Sequence, residues 1–510
     1  MNPPIHLKKP ILVFVLSFVL TWFVLLPQAR AACEQGCFIN HTTALGDDAL
    51  INLNLGDSNT AIGDSALSSN DNGSDNTATG ANALRYSTGD ANTANGSLAL
   101  FSNTTGSGNT ANGAYALYSN TTADANTACG ANALSSNTTG DTNTAIGVFA
   151  LSSNTTGQSN TATGASALSS NTTGHGNTAN GVTALYSNTT GTFNTATGED
   201  ALLNNTTGNN NIANGVESLI NNTTGNDNTA SGTLALYSNT TGSANTASGT
   251  HALGFNTTGP ANTANGHSAL FRNTTGGYNT ANGTSALSSN TTGAYNTADG
   301  YAALGRNTSG SSNVAIGFNA GNVLTTGGGN VCIGVNVHGV PGESNTTRIK
   351  NVYASVATER AVYVNSENKI GTLASSRRFK EEIRPMGKFS ETILNLKPVT
   401  FRYKKDVDPS HALSFGLIAE EVAQVNPDLI TRDENGNPET VRYDQVNAML
   451  LNEFLKEHKR VEEQQGKIEQ QQAAIARQQK QIDALTAGLQ KLIALLEASK
   501  PAWQVVDSNY

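Results

Sequence analysis

The chain has 510 residues, only 13% of them charged, and a formal net charge of −9. Most of its lysines and arginines lie after residue 345, and no basic stripe of the kind that binds nucleic acid runs along it. Its eight histidines are scattered and its four cysteines lack zinc spacing, so neither a metal nor another cofactor is expected.

Residues 1–31 read as an export signal. Lys8 and Lys9 precede an apolar run from Ile11 to Leu26, Pro27 follows, and Ala29-Arg30-Ala31 fits a small-x-small cleavage site. The alternative is an uncleaved membrane anchor, for which the run is short. The mature chain is therefore expected to be extracellular or at the cell surface, with no membrane contact beyond the signal segment. Residues 32–41 make a short N-terminal segment, where Cys33 and Cys37 are close enough to bridge within or between chains.

Residues 42–334 repeat. An Asn-Thr-Ala-x-Gly unit starts at Asn59, Asn76 and Asn92 and then every 17 residues to Asn330, and only the step from Asn76 to Asn92 is 16. A worn copy begins at Thr42. So short a period means stacked coils, and hence a rod. In the coil from Asn109 to Ala125, Asn109–Ala111 reads as a strand and Gly113 closes it. Ala116-Leu117 opens a second strand, and Ser119–Thr122 is a turn. Two short strands per coil predict a narrow parallel β-solenoid or β-roll.

Leu67, Leu84, Leu100 and Leu117 hold one place in successive coils, so stacking puts them about 4.8 Å apart in an apolar spine. The third position is nearly always Ala, the fourth varies, and the first Asn can ladder its amide down the stack. Cys129 and Cys332 each replace a repeat residue and read as small buried thiols. Burying a Leu yields roughly 1.5–3 kcal/mol, whereas ordering each residue costs about 1.5 kcal/mol. Neighbouring chains are therefore expected to contribute, as three rods side by side. Asn-Thr-Thr is formally a glycosylation acceptor, but turn chemistry accounts for it.

Asn-x-Ala-Ile-Gly, at Asn59–Gly63, Asn143–Gly147 and Asn313–Gly317, is similar to the repeat of trimeric autotransporter adhesin heads and haemagglutinin-type fibres. That resemblance covers about residues 42–334 and implies a left-handed parallel β-roll trimer. The period here is longer than in those heads. The C-terminus has no alternating strands for an outer-membrane barrel.

Gly327–Gly329 and Pro341-Gly342 mark the end of the rod, and residues 335–374 form a β transition segment, with extended pieces at Thr347–Tyr353 and Arg360–Val364 and a turn at Gly371. A different domain, residues 375–460, follows. Ser375 and Lys380 are five apart. A serine with a neutral lysine as base can attack a peptide bond. Arg377 and Arg378 add positive charge that lowers a lysine pKa, and burial at a subunit interface would lower it further. A solvated polar turn is the plainer reading of those residues alone.

Further blocks follow in order: Leu394–Tyr403, Phe415–Val422, Pro427–Leu429 and Val441–Tyr443. Together with the Ser375 segment they closely resemble the intramolecular chaperone domain of endosialidase tail spikes, a self-cleaving serine peptidase family, over about residues 371–460. The resemblance implies a small α+β domain that trimerises, guides folding of the fibre ahead of it, and cuts itself off. It implies Ser375 as nucleophile, Lys380 as general base and Ala374–Ser375 as the scissile bond, in an endopeptidase acting on its own chain and on no external substrate. Many relatives carry Asp where this chain has Ser376. Gly416 and Leu417-Ile418-Ala419 read as core packing. Glu420 and Glu421 are adjacent and point apart, so they do not pair for catalysis.

Residues 445–498 overlap that domain and read as a helix. Phe454, Val461, Ile468, Ile475, Ile482, Leu489 and Leu496 recur every seven residues, with Gln464, Gln471, Gln478, Leu485 and Leu492 as the second seam. This predicts a trimeric coiled coil, with a helix in a monomeric hairpin as the alternative. Residues 499–510 are a tail. The whole reads as a mainly β, exported homotrimeric fibre, adhesin-like or structural, whose partners are its own copies and a surface or glycan ligand. Ice or crystal-surface binding by stacked Thr is an alternative. A glycan-cleaving spike ranks last because no fixed carboxylate pair recurs. A tail-fibre origin fits the C-terminal domain, but the export signal argues against a working virion part.

Overall fold

The computed structural model describes residues 41–352, 362–364, 369–371, 375–433 and 435–499. The export signal, Cys33, Cys37, Ala374 and residues 500–510 lie outside the described residues, as do residues 353–361, 365–368 and 372–373 of the transition segment. The chain divides into two units, Met1–Val356 and Ala357–Tyr510.

In the first unit nineteen short strands, from Thr43–Leu45 to Thr347–Ile349, stack into one parallel sheet. Each strand pairs with its own copy one coil on, as Thr110, Ala111 and Asn112 pair with Thr127, Ala128 and Cys129. Alternation along a strand puts the central Ala inside and its two neighbours outside, and Ala111 and Ala128 are fully buried. This is the expected β-solenoid. Cys129 corrects the expectation of a buried thiol. It occupies the fourth position, on the outward face, and is exposed, whereas Cys332 sits in the Ala column and is buried.

The expected second strand does not form. Residues 148–153 of a representative coil are turns, in which Phe149 and Leu151 take left-handed φ values of 59° and 52°. A coil with one three-residue strand must reverse within a few residues. A left-handed Leu does this while its side chain stays fully buried and its N–H donates to the Ala167 carbonyl of the next coil at 2.9 Å. The conformation costs about 1–2 kcal/mol. Burying the Leu offsets it with about 1.5–3 kcal/mol, to which the axial hydrogen bond adds about 1 kcal/mol. The glycine that closes each strand has a steric reason. Gly147 has φ 138°, and a Cβ there would lie 2.4 Å from the Gly164 carbonyl oxygen.

Two amide ladders run inside the rod. The expected one uses the first Asn of each unit. Asn160 Nδ2 donates to Asn143 Oδ1 at 3.1 Å and to the Gly174 carbonyl at 2.9 Å, and its backbone N–H reaches Asn143 Oδ1 at 3.0 Å. The second uses the Asn of Asn-Thr-Thr. Asn154 Nδ2 donates to Asn137 Oδ1 at 2.8 Å and to the Gly157 carbonyl at 2.9 Å, and Thr155 Oγ1 donates to the Thr172 carbonyl at 3.0 Å. In the 16-residue coil Ser87 takes the Asn place and accepts from Asn103 at 3.0 Å. Both Asn columns are fully buried, so the Asn-Thr-Thr amides are closed to glycosylation in the folded rod. These ladders supply, within one chain, contacts that the thin apolar core lacks.

The last coils are built differently. At Gly321 and Leu324 the Leu and Asn places change content: Gly takes the Leu place, and a buried Leu324 takes the Asn place. The second ladder therefore ends at Asn307, whose buried Oδ1 is without a partner. At the final level Arg348 stands in the Ala register, opposite Cys332, and pairs with Glu343.

Among its described residues the second unit holds three two-stranded antiparallel pairs: Tyr363–Val364 with Ile370–Gly371, Val399–Phe401 with Ser414–Gly416, and Ile430–Arg432 with Pro438–Val441. A short helix α1 (Ala419–Val425) and a 56-residue helix α2 (Tyr443–Ala498) complete it, with three 3₁₀ segments. Its core is small: Val422, Leu429, Ile430, Val441 and Met449. The heptad residues of α2 from Phe454 to Leu496 are all exposed.

Replacing Asn171 by Ala would strip Asn154 Oδ1 of its donor and Asn188 of its acceptor, at an expected cost of about 1–3 kcal/mol. Leu168→Ala would cost about 2–5 kcal/mol. Because coils contact only their neighbours, amide exchange should quicken between residues 154 and 188 and stay unchanged near residue 270 in both variants.

Candidate functional site

Ser375 and Lys380 come together across one 3₁₀ turn, Arg377–Phe379. Phe379 N–H donates to the Ser376 carbonyl at 3.0 Å and Lys380 N–H to the Arg377 carbonyl at 3.1 Å. That reversal brings Lys380 Nζ to 3.3 Å from Ser375 Oγ. Arg378 lies over the Phe379 ring, 4.7 Å from its centroid. Ser375, Lys380 and both arginines are exposed in the single chain. The arrangement places a nucleophile and a nitrogen base within reach. A lysine abstracts a proton only when neutral, which burial favours.

A second Ser/Lys constellation went unnoticed in the sequence, because its members are more than sixty residues apart. Ser390, on the 3₁₀ segment Gly387–Asn395, is fully buried. Its hydroxyl donates to the Glu453 carboxylate and accepts from Asn452 Nδ2 at 2.6 Å, both on α2. Lys456 Nζ sits 2.7 Å from Glu453, 3.2 Å from Glu391 and 3.5 Å from Ser390 Oγ. Glu453, then Glu391, hold the Lys456 ammonium above the ordinary lysine range against partial desolvation. A lysine so held stays protonated, so this cluster is a polar clamp fastening the 3₁₀ segment to α2 and does not form a catalytic pair.

Tyr443, the first residue of α2, accepts the Leu417 N–H at 2.9 Å. Gly416 leaves room for that hydroxyl, since a Cβ there would come within 2.7 Å of it. Gly416–Ala419 thus pack between a strand end and α1, as expected. Glu420 and Glu421 lie in the first turn of α1. Tyr363 donates to Asp444 at 2.7 Å, which raises the pKa of its phenol. The two residues line a cavity of about 760 Å³ with Gly371, Thr440 and Tyr443.

Residues 375–431 match the model of the family described as chaperone of endosialidase, Peptidase_S74. The match opens on Ser375 itself and takes in Lys380 and α1. No curated protein matches the chain. Fold and match together define a chaperone-of-endosialidase segment preceded by a long parallel β-solenoid rod.

Lys456 first, and then the Ser390 hydroxyl, hold the Glu453 carboxyl below the ordinary glutamate range. The unfolded chain therefore binds this proton more tightly than the folded one. The clamp's stabilisation is complete above the ordinary glutamate pKa and is lost as pH falls through the depressed folded value. The melting temperature of the C-terminal unit should thus exceed that of Glu453→Gln at neutral pH, and the gap should close on acidification below about pH 4. Melts of the two chains across pH check this.

Proposed function

We propose that the chain is exported as a homotrimeric fibre whose C-terminal domain drives assembly and then severs itself from the rod. The observation that carries this reading is the 3.3 Å approach of Lys380 Nζ to Ser375 Oγ, at the first residue of the chaperone-of-endosialidase match. The exposed heptad stripe of α2 supports a parallel three-stranded coil, with Ile at the first seam position and Gln layers setting register. In the rod, solvent-facing Thr, Asn and Ser and the scarcity of charge suit a passive surface fibre or adhesin, with a surface or glycan as ligand.

The self-cleavage step runs as an acyl transfer. Neutral Lys380 takes the Ser375 hydroxyl proton, and Oγ bonds to the Ala374 carbonyl carbon. The Ala374–Ser375 C–N bond then breaks, and Lys380 returns the proton to the departing Ser375 nitrogen. Water hydrolyses the resulting ester, leaving an Ala374 carboxylate on the rod and a free Ser375 hydroxyl on the released domain. Lys380 is exposed in the single chain, so assembly supplies the burial that makes it a base. Cleavage then follows trimer formation and acts as a folding checkpoint.

Wild-type chain is expected to run on a denaturing gel as rod plus C-terminal fragment, whereas Ser375→Ala and Lys380→Ala run at full length. Full-length wild type would sink the processing step, and equal cutting of all three would assign it to another protease.

A second reading rests on the outward Thr column. In strands such as Thr77–Thr79 and Thr195–Thr197 the Thr side chains share the flat outer face of the sheet, repeating at about 4.8 Å. Such an array suits an ordered water or crystal surface. An ice-recrystallisation assay separates the two: the fibre reading expects no inhibition, and inhibition that Thr195→Lys abolishes would favour the second.

A further inference from the structure

Near the end of the rod the outward face of the sheet changes character. From Thr161 to Asp299 the fourth position carries only Thr, Asn, Ser or Asp. In the next two strands, Val314–Ile316 and Val331–Ile333, both outward places are β-branched and apolar. Beside them, just past the closing glycines, stand Phe318 and Val335, 46% and 48% exposed. The second Asn ladder ends one coil earlier, at Asn307, where Leu324 follows, while the first runs on to Asn330. One buried place thus passes from Asn to Leu next to the strands whose outward places become apolar, and only the inner side chain is covered.

We infer that this end face is an interface between copies of the chain, joining rods over their last coils and leaving them separate beyond. The inference rests on the trimeric reading above. The face is a flat sheet surface two to three strands tall, about 10 Å, which offers a small ligand no concavity. It also lacks the cluster of basic residues that an anionic membrane surface would need. Arg348 is paired with Glu343, and Lys350 donates to the Val335 carbonyl at 2.7 Å. A flat, β-branched, uncharged surface is covered best by another sheet face of the same kind at the same height. Copies related by a threefold axis meet that requirement of themselves, because each places Val314, Ile316, Val331 and Ile333 at one level. The Thr and Asn faces farther along the rod are hydrated and have nothing to gain by meeting. An apolar face of this kind left bare would instead be an aggregation site.

The test is site-directed cross-linking of the full-length Ser375→Ala chain, with Cys33, Cys37 and Cys129 replaced by Ser and Cys332 by the Ala of its column. Single cysteines go to Val335→Cys on the patch, Ser248→Cys on the polar face and Ile475→Cys on the α2 stripe, and a short bis-maleimide is added. Linked dimers are expected from residues 335 and 475, with at least tenfold less from residue 248. Adding Phe318→Asp should abolish linking at 335 and leave 475 unchanged. Linking at 475 without linking at 335 would overturn the inference while the trimer stands, as would equal linking at 248 and 335. No linking at either 335 or 475 would remove the trimeric reading and the inference with it. Linking at 335 alone would keep the interface and discard the three-stranded coil.

Discussion

Hydrogen bonds that run along the rod axis, from each coil to its own copy in the next, are the constraint on which the first unit depends. Backbone N–H groups, both Asn columns and the Thr hydroxyls of Asn-Thr-Thr all point this way. In the Asn and Thr side-chain ladders donor and acceptor are the same residue type one coil apart, so the period cannot drift without breaking several ladders at once. The single 16-residue coil drops a residue from the turn and keeps Ser87 as a ladder member. Side chains that face water are free of this constraint, which is why the fourth position holds Ile, Thr, Asn, Cys, Ser and Asp in different coils.

The second unit follows a different logic. Among its described residues no ladder runs, and the core is a handful of side chains gathered around α1 and the start of α2. A polar clamp at Ser390 does work that apolar packing does elsewhere. Phe389 and Phe415 remain 80% and 76% exposed, more apolar surface than a small unit of this size ordinarily leaves to water. Such a unit supports a reading in which its remaining partners arrive with other copies, and in which the environment of Lys380 is completed at the same moment.

Seen together, the rod and the C-terminal unit divide the labour of stability. Coils of the rod pair nearly all of their buried polar groups internally. The exception lies where the second ladder stops, at Asn307 and Leu324, next to the apolar outer strands. Between Thr161 and Asp299 the fourth position is polar throughout, and the apolar side chains exposed there, such as Val182, Phe193, Ile212 and Tyr295, lie at other places in the coil.

The sequence by itself determined the stacking, the Ala and Leu columns, the first Asn ladder, the seven-residue stripe of α2 and the Ser375/Lys380 spacing. Each is a local period or a short separation, and period alone dictates which side chains share a face. Only the tertiary structure decided that Leu sits in a left-handed turn instead of a second strand, since the backbone must reverse inside a coil whose width no single repeat reveals. It also decided that the Asn of Asn-Thr-Thr is a buried ladder and that Cys129 faces out. The grip of Glu453 and Asn452 on Ser390 came from the same source. Those outcomes depend on which distant backbone passes alongside, and neither composition nor spacing carries that information.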